Sequence, residues 1–419
     1  MSSAMHSILL VEDASFFEKA VMMTLKNIEE TDVCVARSYK EAEGLLSSSE
    51  VRPSLALVDL TLPDARDGEI VDLVKSHDIP TIVFTSRYAA NIRRSVYGKG
   101  IMDYIVKDSP SSLDYLGELI QQLRSNPETG VLVIDDSKPA RESIIRALKM
   151  HRYQTFEAAS AVEGQKILEE NPQIKLLLLD YVMPGEDGFA FLKALRRKYG
   201  RDDLAILGLS GIDDDENRIR FLKYGANDFI QKNCSSEEVL LRVAQNLKVI
   251  DRIAELRNRA IRDPLTGLYN RRYLFSQASQ TVKAAQNDDK SFWVCLLDID
   301  KFKSINDTYG HIAGDTTLVT FARELQAMAG PEDHVLRLGG DEFCILAKAD
   351  CQEEVEVKMQ TLIEKLRLAG IKLEHGPIKV TASVGIAQVD GSDIAGAIDM
   401  ADMRLYRAKD TGRDKLIAC

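Results

Sequence analysis

The sequence lacks the features that would mark a secreted or membrane-bound protein. Its longest apolar runs, such as KLLLLDYVM, have the length of a strand and fall far short of the ~20 residues that span a membrane. The short polar start leads directly into ILLV, so no signal peptide is recognisable. None of the six cysteines forms a C-x-x-C pair, and buried free thiols are expected. We therefore expect a cytoplasmic protein without direct membrane insertion.

The chain is also short of positive charge, with a formal net charge of −11 at pH 7. A surface this acidic argues against binding to nucleic acid, which depends on basic patches. An anionic small ligand would need a local basic pocket. At 419 residues, the chain has room for about three domains.

Two segments of the first half repeat each other. SILLVEDASFFEKAV (7–21) matches GVLVIDDSKPARESI (130–144), and LALVDLTLPDARDG (55–68) matches LLLLDYVMPGEDG (176–188). The offset is about one domain length, which indicates a tandem duplication. Each copy alternates β-rich runs with helical patterns, which predicts a doubly wound α/β fold with a parallel sheet.

Both copies place the same polar residue types at the expected ends of their strands, where such sheets bind ligands. These residues are Glu12, Asp13, Asp59, Thr85 and Lys107 in the first copy, and Asp135, Asp136, Asp180, Ser210 and Lys232 in the second. Three clustered carboxylates repel one another unless a hard cation such as Mg²⁺ lies among them. A carboxylate beside that cation can become an aspartyl phosphate, which the lysine and the hydroxyl could contact. Each aspartate could instead only cap a helix. The same five residue types at matching positions in both copies favour a functional site.

Residues 6–124 and 130–248 each resemble a response-regulator receiver domain, which has a flavodoxin-like fold. The resemblance implies that Asp59 and Asp180 accept phosphate from a cognate sensor histidine kinase. It implies one Mg²⁺ per receiver, held by Glu12, Asp13 and Asp59 in one and by Asp135, Asp136 and Asp180 in the other. It also implies switch roles for Thr85, Lys107, Ser210 and Lys232, with Tyr104 and Phe229 as the rotating aromatic residues.

A helix is predicted for residues 236–262, which contain no Gly or Pro. An apolar stripe with heptad-like spacing runs along it through Leu240, Val243, Leu247, Ile250 and Ala254. The first half fits the last helix of the second receiver. The charged remainder favours a helical lever between domains that can pair with a second copy.

The stretch VLRLGGDEFCIL (335–346) reads as a β-hairpin with two glycines and two acids at its tip. Trp293–Leu297 reads as a buried strand that Asp298 ends. Asp298 and Asp341 could then converge on shared cations, and two Mg²⁺ ions would suit phosphoryl transfer at a nucleoside triphosphate. A surface hairpin with solvated acids is the alternative, and the neighbouring DIDKFKSINDTYGH argues against it.

Several further residue types suit such a substrate. Lys303, Lys409 and Arg413 would supply positive charge for a triphosphate. Asn306 and Asp315 could read base edges, because Asn donates and accepts while Asp accepts.

Residues 263–419 resemble the catalytic domain of the GGDEF diguanylate cyclases in DPLTGLYNRR, DIDKFKSINDTYGH, RLGGDEF, TASVGIA and ADMRLYRAKDTGRD. The resemblance implies an α+β fold with a mostly antiparallel sheet, and condensation of two GTP into cyclic di-GMP and two pyrophosphate by a homodimer. It implies two Mg²⁺ or Mn²⁺ ions on Asp298, the Ile299 carbonyl and Asp341. The implied roles of the other residues are deprotonation by Asp341 with Glu342, transition-state stabilisation by Lys303, guanine binding by Asn306 and Asp315 beside Phe302, and phosphate binding by Lys409 and Arg413.

Two other interpretations remain open on the residues alone. The third domain could bind GTP or a partner without turnover, or it could serve only as a dimerisation platform in a phosphorelay.

Many relatives carry an inhibitory product site, Arg-x-x-Asp, before the hairpin. Here that window is GPED, so Asp333 is kept and Gly330 replaces the arginine. We expect weak product inhibition unless another arginine, such as Arg337, reaches in.

Overall fold

The computed structural model describes residues 7–26, 28, 31–48, 52–65, 68–87, 90–183, 186–211, 215–284, 291–373 and 376–418. The chain forms two compact units, one ending at Ile253 and the other beginning at Ala254. Residues 6 and 419, which bound the predicted domains, lie outside the described residues. Among the described residues, no helix has the length and apolarity to cross a membrane.

The first receiver alternates strands and helices as expected. Its elements are β1 (Ser7–Val11), α1 (Ser15–Lys26), β2 (Asp32–Ala36), α2 (Tyr39–Ser47), β3 (Leu55–Val58), α3 (Glu69–Ser76), β4 (Thr81–Thr85), α4 (Ala90–Gly98), β5 (Asp103–Val106) and α5 (Pro110–Ser125). The strands form one parallel sheet in the order β2-β1-β3-β4-β5. Strands β3 and β4 are buried along their whole length because helices cover both faces of the sheet.

The second receiver repeats this plan after a 3₁₀ turn at Asn126–Glu128. Its elements are β6 (Gly130–Ile134), α6 (Lys138–Met150), β7 (Gln154–Ala158), α7 (Ala161–Glu170), β8 (Ile174–Asp180), β9 (Val182–Met183), β10 (Glu186–Asp187), α8 (Gly188–Lys198), β11 (Ala205–Ser210), α9 (Asp215–Lys223), β12 (Asp228–Gln231) and α10 (Ser236–Ile261). The main sheet has the order β7-β6-β8-β11-β12, and β9 pairs with β10 beside it. The predicted doubly wound fold is confirmed in both copies.

The duplication extends to the helix caps. Ser38 caps α2 by accepting a hydrogen bond from the Glu41 backbone, and Ser160 caps α7 in the same way with Glu163. Each glutamate also accepts from a backbone N–H just before its cap residue. These paired contacts satisfy backbone donors that a helix start leaves open.

The two receivers contact each other within the first unit. The ring Nε2 of His151 lies 3.0 Å from the Met102 carbonyl oxygen. Lys248 Nζ lies 2.7 Å from Glu118 Oε2, and Arg93 forms an ion pair with Glu237 in the first turn of α10. The face of receiver 1 that carries α4, β5 and α5 is therefore in contact with receiver 2.

Helix α10 is continuous through the predicted connector. Its stripe residues Leu240, Val243, Leu247 and Ile250 pack in the core of receiver 2, so this half is the last receiver helix. Residues 254–260 are exposed. Ile261, which resumes the stripe, is buried in the core of the second unit.

The second unit has a mixed six-stranded sheet. Its elements are β13 (Tyr269–Asn270), α11 (Arg271–Tyr273), a π-helical turn (Leu274–Ala278), α12 (Ser279–Ala284), β14 (Ser291–Ile299), α13 (Phe302–Tyr309), α14 (His311–Met328), β15 (His334–Gly339), β16 (Glu342–Ala349), α15 (Gln352–Ala369), β17 (Ile371–Leu373), β18 (Gly376–Ile378), β19 (Ala382–Gln388), α16 (Ile394–Asp410) and β20 (Leu416–Ile417). The order is β13-β15-β16-β14-β19-β20, and the three central pairings are antiparallel, as expected. The separate pair β17–β18 is antiparallel too.

Gly385 lets α16 lie directly against β19. A Cβ atom at this position would lie 2.1 Å from the Ala401 carbonyl oxygen and 2.4 Å from the Leu405 backbone nitrogen. Real Cβ atoms do not approach backbone atoms this closely, so only glycine fits. This close packing sets the position of the C-terminal end of α16, which carries Lys409.

We predict that Gly385→Ala destabilises the second unit by about 3 kcal/mol, because backbone atoms cannot yield to an added methyl group. The single tryptophan, Trp293, lies in the core of this unit, so its fluorescence in a urea titration reports the unfolding of that unit. Gly330→Ala is the matched control in the same unit, since the nearest atom to a Cβ built there is Asp333 Oδ2, at an ordinary contact distance of 3.4 Å. An unchanged urea midpoint in Gly385→Ala would contradict the packing argument.

Candidate functional site

Carboxylates converge at the carboxyl edge of the first receiver sheet. Glu12 and Asp13 follow β1, Asp59 follows β3, and their oxygen atoms lie within 4.8 Å of one another. Glu12 and Asp59 are buried while Asp13 is exposed. Lys107 forms an ion pair with Glu12, and its Nζ lies 2.6 Å from Asp59 Oδ2. Burial nevertheless raises the pKa of Glu12 above its ordinary value.

The predicted switch hydroxyl of receiver 1 contacts the predicted phosphate acceptor. Thr85 Oγ1 donates a hydrogen bond of 2.7 Å to Asp59 Oδ1, which also accepts from the Thr61 backbone at 3.0 Å. Tyr104 is buried, and its hydroxyl donates to the Arg87 carbonyl oxygen at 2.6 Å. The structure therefore brings Thr85 and Asp59 together at the carboxyl edge of the sheet.

The second receiver repeats the acidic cluster with another lysine. Oxygen atoms of Asp135, Asp136 and Asp180 lie within 4.8 Å of one another. Lys232 Nζ lies 2.6 Å from Asp135 Oδ2 and 2.7 Å from Asp180 Oδ2. Burial raises the pKa of Asp180 despite this cation.

The predicted switch hydroxyl of receiver 2 has a different neighbour. Ser210 Oγ donates to the hydroxyl of Tyr181 at 3.3 Å. Among the described residues, Asp180 accepts hydrogen bonds from the Val182 backbone and from Lys232. The aromatic residue Phe229 lies beside Tyr181, with ring centroids 6.1 Å apart.

Both receiver clusters fit a divalent cation. Each offers only oxygen donors, and its outer carboxylate, Asp13 or Asp136, is open to solvent. The raised pKa values of Glu12 and Asp180 show that one ammonium group does not fully offset the buried negative charge. A hard cation such as Mg²⁺ suits this donor set.

The hairpin tip of the second unit lies beside the end of β14. Asp298 pairs in register with Glu342, and the Ile299 backbone N–H faces the Asp341 carbonyl oxygen at 3.4 Å. The predicted hairpin is confirmed, but Gly339 pairs with Glu342, so the turn consists of Gly340 and Asp341 rather than the two glycines.

Backbone geometry explains the two glycines of this tip. Gly339 has φ 153° and Gly340 has φ 54°, in the region that side chains disfavour. The Arg337 guanidinium donates two hydrogen bonds, of 3.0 and 2.7 Å, to the Gly340 carbonyl oxygen. Its third nitrogen contacts both carboxylate oxygens of Asp263 at 3.0 and 3.2 Å, so the tip is tied to the start of the domain.

Asp298 is a buried carboxyl group in an acidic environment. Burial, with added repulsion from Asp341 and Glu342, raises the pKa of Asp298 to about 6 even though Lys409 Nζ lies 2.6 Å from its Oδ2. Negative charge at this point is therefore only partly compensated. Asp298, Asp341 and the Ile299 carbonyl offer only oxygen atoms as donors, the type that suits Mg²⁺ or Mn²⁺.

The predicted base-reading residues lie on neighbouring helices. A Cβ atom at Gly314 would lie 1.9 Å from Asn306 Oδ1, so glycine allows the Asn306 side chain to rest against α14. Asp315 is the next residue on that helix and is exposed. The structure thus brings Asn306 close to the backbone that carries Asp315. Phe302 packs partly on the core, and Lys303 is exposed beside it at the start of α13.

Asp300 has a positioning role that sequence reasoning missed. Its buried carboxylate accepts from Thr381 Oγ1 and Ser383 Oγ at 2.7 Å each, and from the Asp414 backbone at 3.0 Å. These bonds tie the strand end to the loop that carries Arg413. The only sequence signal was the pair Thr381 and Ser383, which share one face of an extended segment.

Strained backbone marks the same place. Lys301, Arg413 and Asp414 have φ values of 56°, 64° and 50°, which residues with a side chain seldom adopt. Such strain persists only where surrounding contacts hold it. The exposed Arg413 side chain is thereby presented from a fixed loop.

Asp333 is held in a network of its own. Its buried side chain accepts from the Gly330 backbone at 2.7 Å and the Lys348 backbone at 3.1 Å, and it forms an ion pair with Lys358. These contacts lower the pKa of Asp333 against the opposing effect of burial. Arg337, the arginine considered as a replacement, is bound to Asp263 instead.

Comparison with known proteins adds family information to this geometry. The response regulator receiver domain matches residues 8–119 and 131–244, which together make up more than half of the chain. The diguanylate cyclase GGDEF domain matches residues 260–415.

Two characterised proteins and one solved structure are similar to large or small parts of the chain. The response regulator PleD of Caulobacter vibrioides is 27% identical over 413 residues, covering 87% of this chain and 89% of that protein. The diguanylate cyclase DgcP of Pseudomonas aeruginosa is 36% identical over 165 residues, covering 39% of this chain and 25% of that protein. A solved structure described as a putative two-component system response regulator/GGDEF domain protein has 33% identity and a TM-score of 0.53, covering 59% of this chain and 99% of that chain.

We predict that Asp298→Asn stabilises the metal-free protein at high pH. A carboxyl group with a raised folded pKa stabilises the fold fully below 3.8 and loses that contribution as pH rises through about 6. A shift of about two units corresponds to ~3 kcal/mol. The amide avoids this loss, so the variant should exceed the wild type in stability at pH 8, with the gap closing towards pH 4.5.

Trp293 fluorescence in urea titrations with a chelator measures this difference at each pH. The exposed Asp399 on α16 provides the control, because Asp399→Asn should change little at any pH. A gap between Asp298→Asn and the wild type that does not vary with pH would rule out the raised pKa as its cause.

Proposed function

The chain belongs to the response regulators, with two receiver domains followed by a GGDEF diguanylate cyclase domain, and from this premise we propose a phosphorylation-controlled homodimeric enzyme that makes cyclic di-GMP. The observation that supports the proposal most directly is the arrangement around Asp298. This buried carboxyl group is paired in register with Glu342 and feels the charge of Asp341.

The reaction joins two GTP molecules in two equivalent steps. In each, the 3′ oxygen of one GTP bonds to the α-phosphorus of the other, and pyrophosphate leaves with the electron pair of the broken P–O bond. Asp341, with Glu342 beside it, takes part in removing the hydroxyl proton. Each domain binds one GTP, so two chains must face each other.

The metal ligands of the cyclase site are Asp298, the Ile299 carbonyl and Asp341, for two Mg²⁺ or Mn²⁺ ions. When bound, these ions lower the pKa of the attacking hydroxyl and neutralise charge that develops on phosphate oxygens. Lys409 contacts Asp298 in this structure, and its ammonium group would become available to substrate phosphate if cations were bound to Asp298.

The remaining residues bind and orient the substrate. Asn306 and Asp315, with Phe302 beside them, bind guanine. Lys303 stabilises the transition state, and Lys409 and Arg413 hold the phosphates. The contact between Asn306 and the helix of Asp315 supports a shared guanine site.

The receivers control this activity. A cognate histidine kinase phosphorylates Asp59 and Asp180, each beside one Mg²⁺, and Thr85 and Ser210 then bind the phosphoryl oxygens. The functional domains are residues 6–124, 130–248 and 263–419, with 236–262 as the connecting helix. The exposed segment 254–260 is the part of that helix available to a second copy.

We predict that beryllofluoride, a phosphoryl mimic, raises both the dimer fraction and the rate of cyclic di-GMP formation from GTP and Mg²⁺. Asp59→Asn and Asp180→Asn, tested singly, show which receiver carries the response. Asp341→Ala should abolish turnover, since it removes a metal ligand, whereas Asp399→Ala should not. Mass photometry and product chromatography measure the two effects.

Three outcomes would contradict this proposal. Near-wild-type turnover in Asp341→Ala would show that the site assignment is wrong. If neither the mass nor the activity responds to the mimic, the proposed coupling between receivers and cyclase is wrong. A protein that binds GTP without any turnover would support one of the non-catalytic interpretations.

We also predict weak product inhibition through the window at Gly330–Asp333. Asp333 is bound by Lys358 and two backbone N–H groups, and Arg337 is bound by Asp263. Loss of one charged partner at such a contact costs about 2–5 kcal/mol, or well over tenfold in affinity. Initial rates of GTP consumption with added cyclic di-GMP test this, and tight non-competitive inhibition that Asp333→Ala abolishes would refute it.

A further inference from the structure

The two receivers use their switch hydroxyls differently. Thr85 donates directly to the phosphate acceptor Asp59 at 2.7 Å. Ser210 occupies the equivalent place, since the lysine of each receiver donates its backbone N–H to the carbonyl oxygen of that residue. Yet Ser210 donates to the Tyr181 hydroxyl. One fold in one chain thus presents two arrangements of the same switch.

Tyr181 differs from its counterpart in receiver 1. It follows Asp180 directly, where receiver 1 has Leu60, which has no polar atom in its side chain. Its ring is buried against Phe189 and Phe229, with centroids 5.7 and 6.1 Å away. This packing fixes the ring and therefore the hydroxyl that Ser210 contacts.

The hydroxyl of Tyr104 in receiver 1 has a different hydrogen-bond partner. Tyr104 is on β5, and its hydroxyl donates to the Arg87 carbonyl oxygen rather than contacting Thr85. Receiver 2 has Phe229 at that place, which carries no hydroxyl. Among the described residues, a hydrogen bond between the switch hydroxyl and a phenol is therefore found in receiver 2 and not in receiver 1.

We propose that Tyr181 is a positioning residue that holds the Ser210 hydroxyl away from Asp180 until a phosphoryl group is present. The proposal rests on the proposed phosphorylation of Asp180. In that step an Asp180 oxygen bonds to phosphorus, and the donor atom leaves with the electron pair of its broken bond. Ser210 must then turn its O–H from Tyr181 to a phosphoryl oxygen.

The test measures binding of beryllofluoride to Asp180 in the full-length Asp59→Asn protein with Mg²⁺. Bound beryllofluoride is observed by ¹⁹F NMR as its concentration is raised. Tyr181→Phe removes only the hydroxyl and keeps the ring. We expect the half-saturating concentration to fall by about two- to tenfold, the range for loss of one neutral hydrogen bond from the unbound state.

A double-mutant cycle separates positioning from packing. In a Ser210→Ala background, Tyr181→Phe should cause no further change, because the hydroxyl that it releases is absent. Tyr224→Phe is the matched control, since its ring neighbours Phe189 in the same cluster, 6.2 Å away, and it should leave half-saturation unchanged. A purely structural role would lower the melting temperature without moving half-saturation.

The outcomes are distinct. Unchanged half-saturation in Tyr181→Phe, or an equal shift that persists with Ser210→Ala, overturns the role of Tyr181. Failure of the Asp59→Asn protein itself to bind beryllofluoride overturns the proposed phosphorylation of Asp180, and with it this inference.

Discussion

Burial of clustered carboxylates beside a single lysine is the interaction on which all three sites depend. Lys107 contacts Glu12 and Asp59, Lys232 contacts Asp135 and Asp180, and Lys409 contacts Asp298. Each lysine reaches the acids from a different element of the same domain. Without these cations, like charges out of water would destabilise the fold by several kcal/mol. The acids therefore constrain which elements must lie together.

One ammonium group per cluster leaves each site with excess negative charge. Burial raises the pKa values of Glu12, Asp180 and Asp298, and repulsion from the neighbouring carboxylates adds a smaller contribution. A divalent cation or the positive end of a phosphate-binding loop can relieve the excess negative charge, so the cost in stability prepares the site for ligands. The pH effect expected for Asp298→Asn has this same origin.

The local sequence pattern was enough to predict the acidic clusters of the receivers, because parallel strands bring their carboxyl ends to one edge of the sheet. Glu12 and Asp59 lie 47 positions apart, yet both follow apolar runs of strand length. The glycines of the hairpin were likewise visible, although the turn lies one residue later than a Gly-Gly tip would place it.

Contacts between distant side chains were not predictable in this way. The bonds from Asp300 to Ser383 and Asp414, and the ion pair of Asp333 with Lys358, depend on how whole elements pack. No periodicity encodes them. The apolar stripe of α10 could be recognised from its heptad-like spacing. Its packing partner could not be, because the stripe packs in the core of receiver 2.

The divergence of the two receivers follows from core volume. Tyr181 is larger than Leu60, and the sheet makes room for the aromatic cluster by placing Gly208 on β11 where β4 has Val83. A Cβ at Gly208 would lie 2.7 Å from the Phe229 ring and 2.8 Å from Phe221. Volume lost at one position thus allows a ring at another, the kind of exchange that cores tolerate. The ring of Tyr181 carries a hydroxyl group, so the different core packing also gives Ser210 a different hydrogen-bond partner.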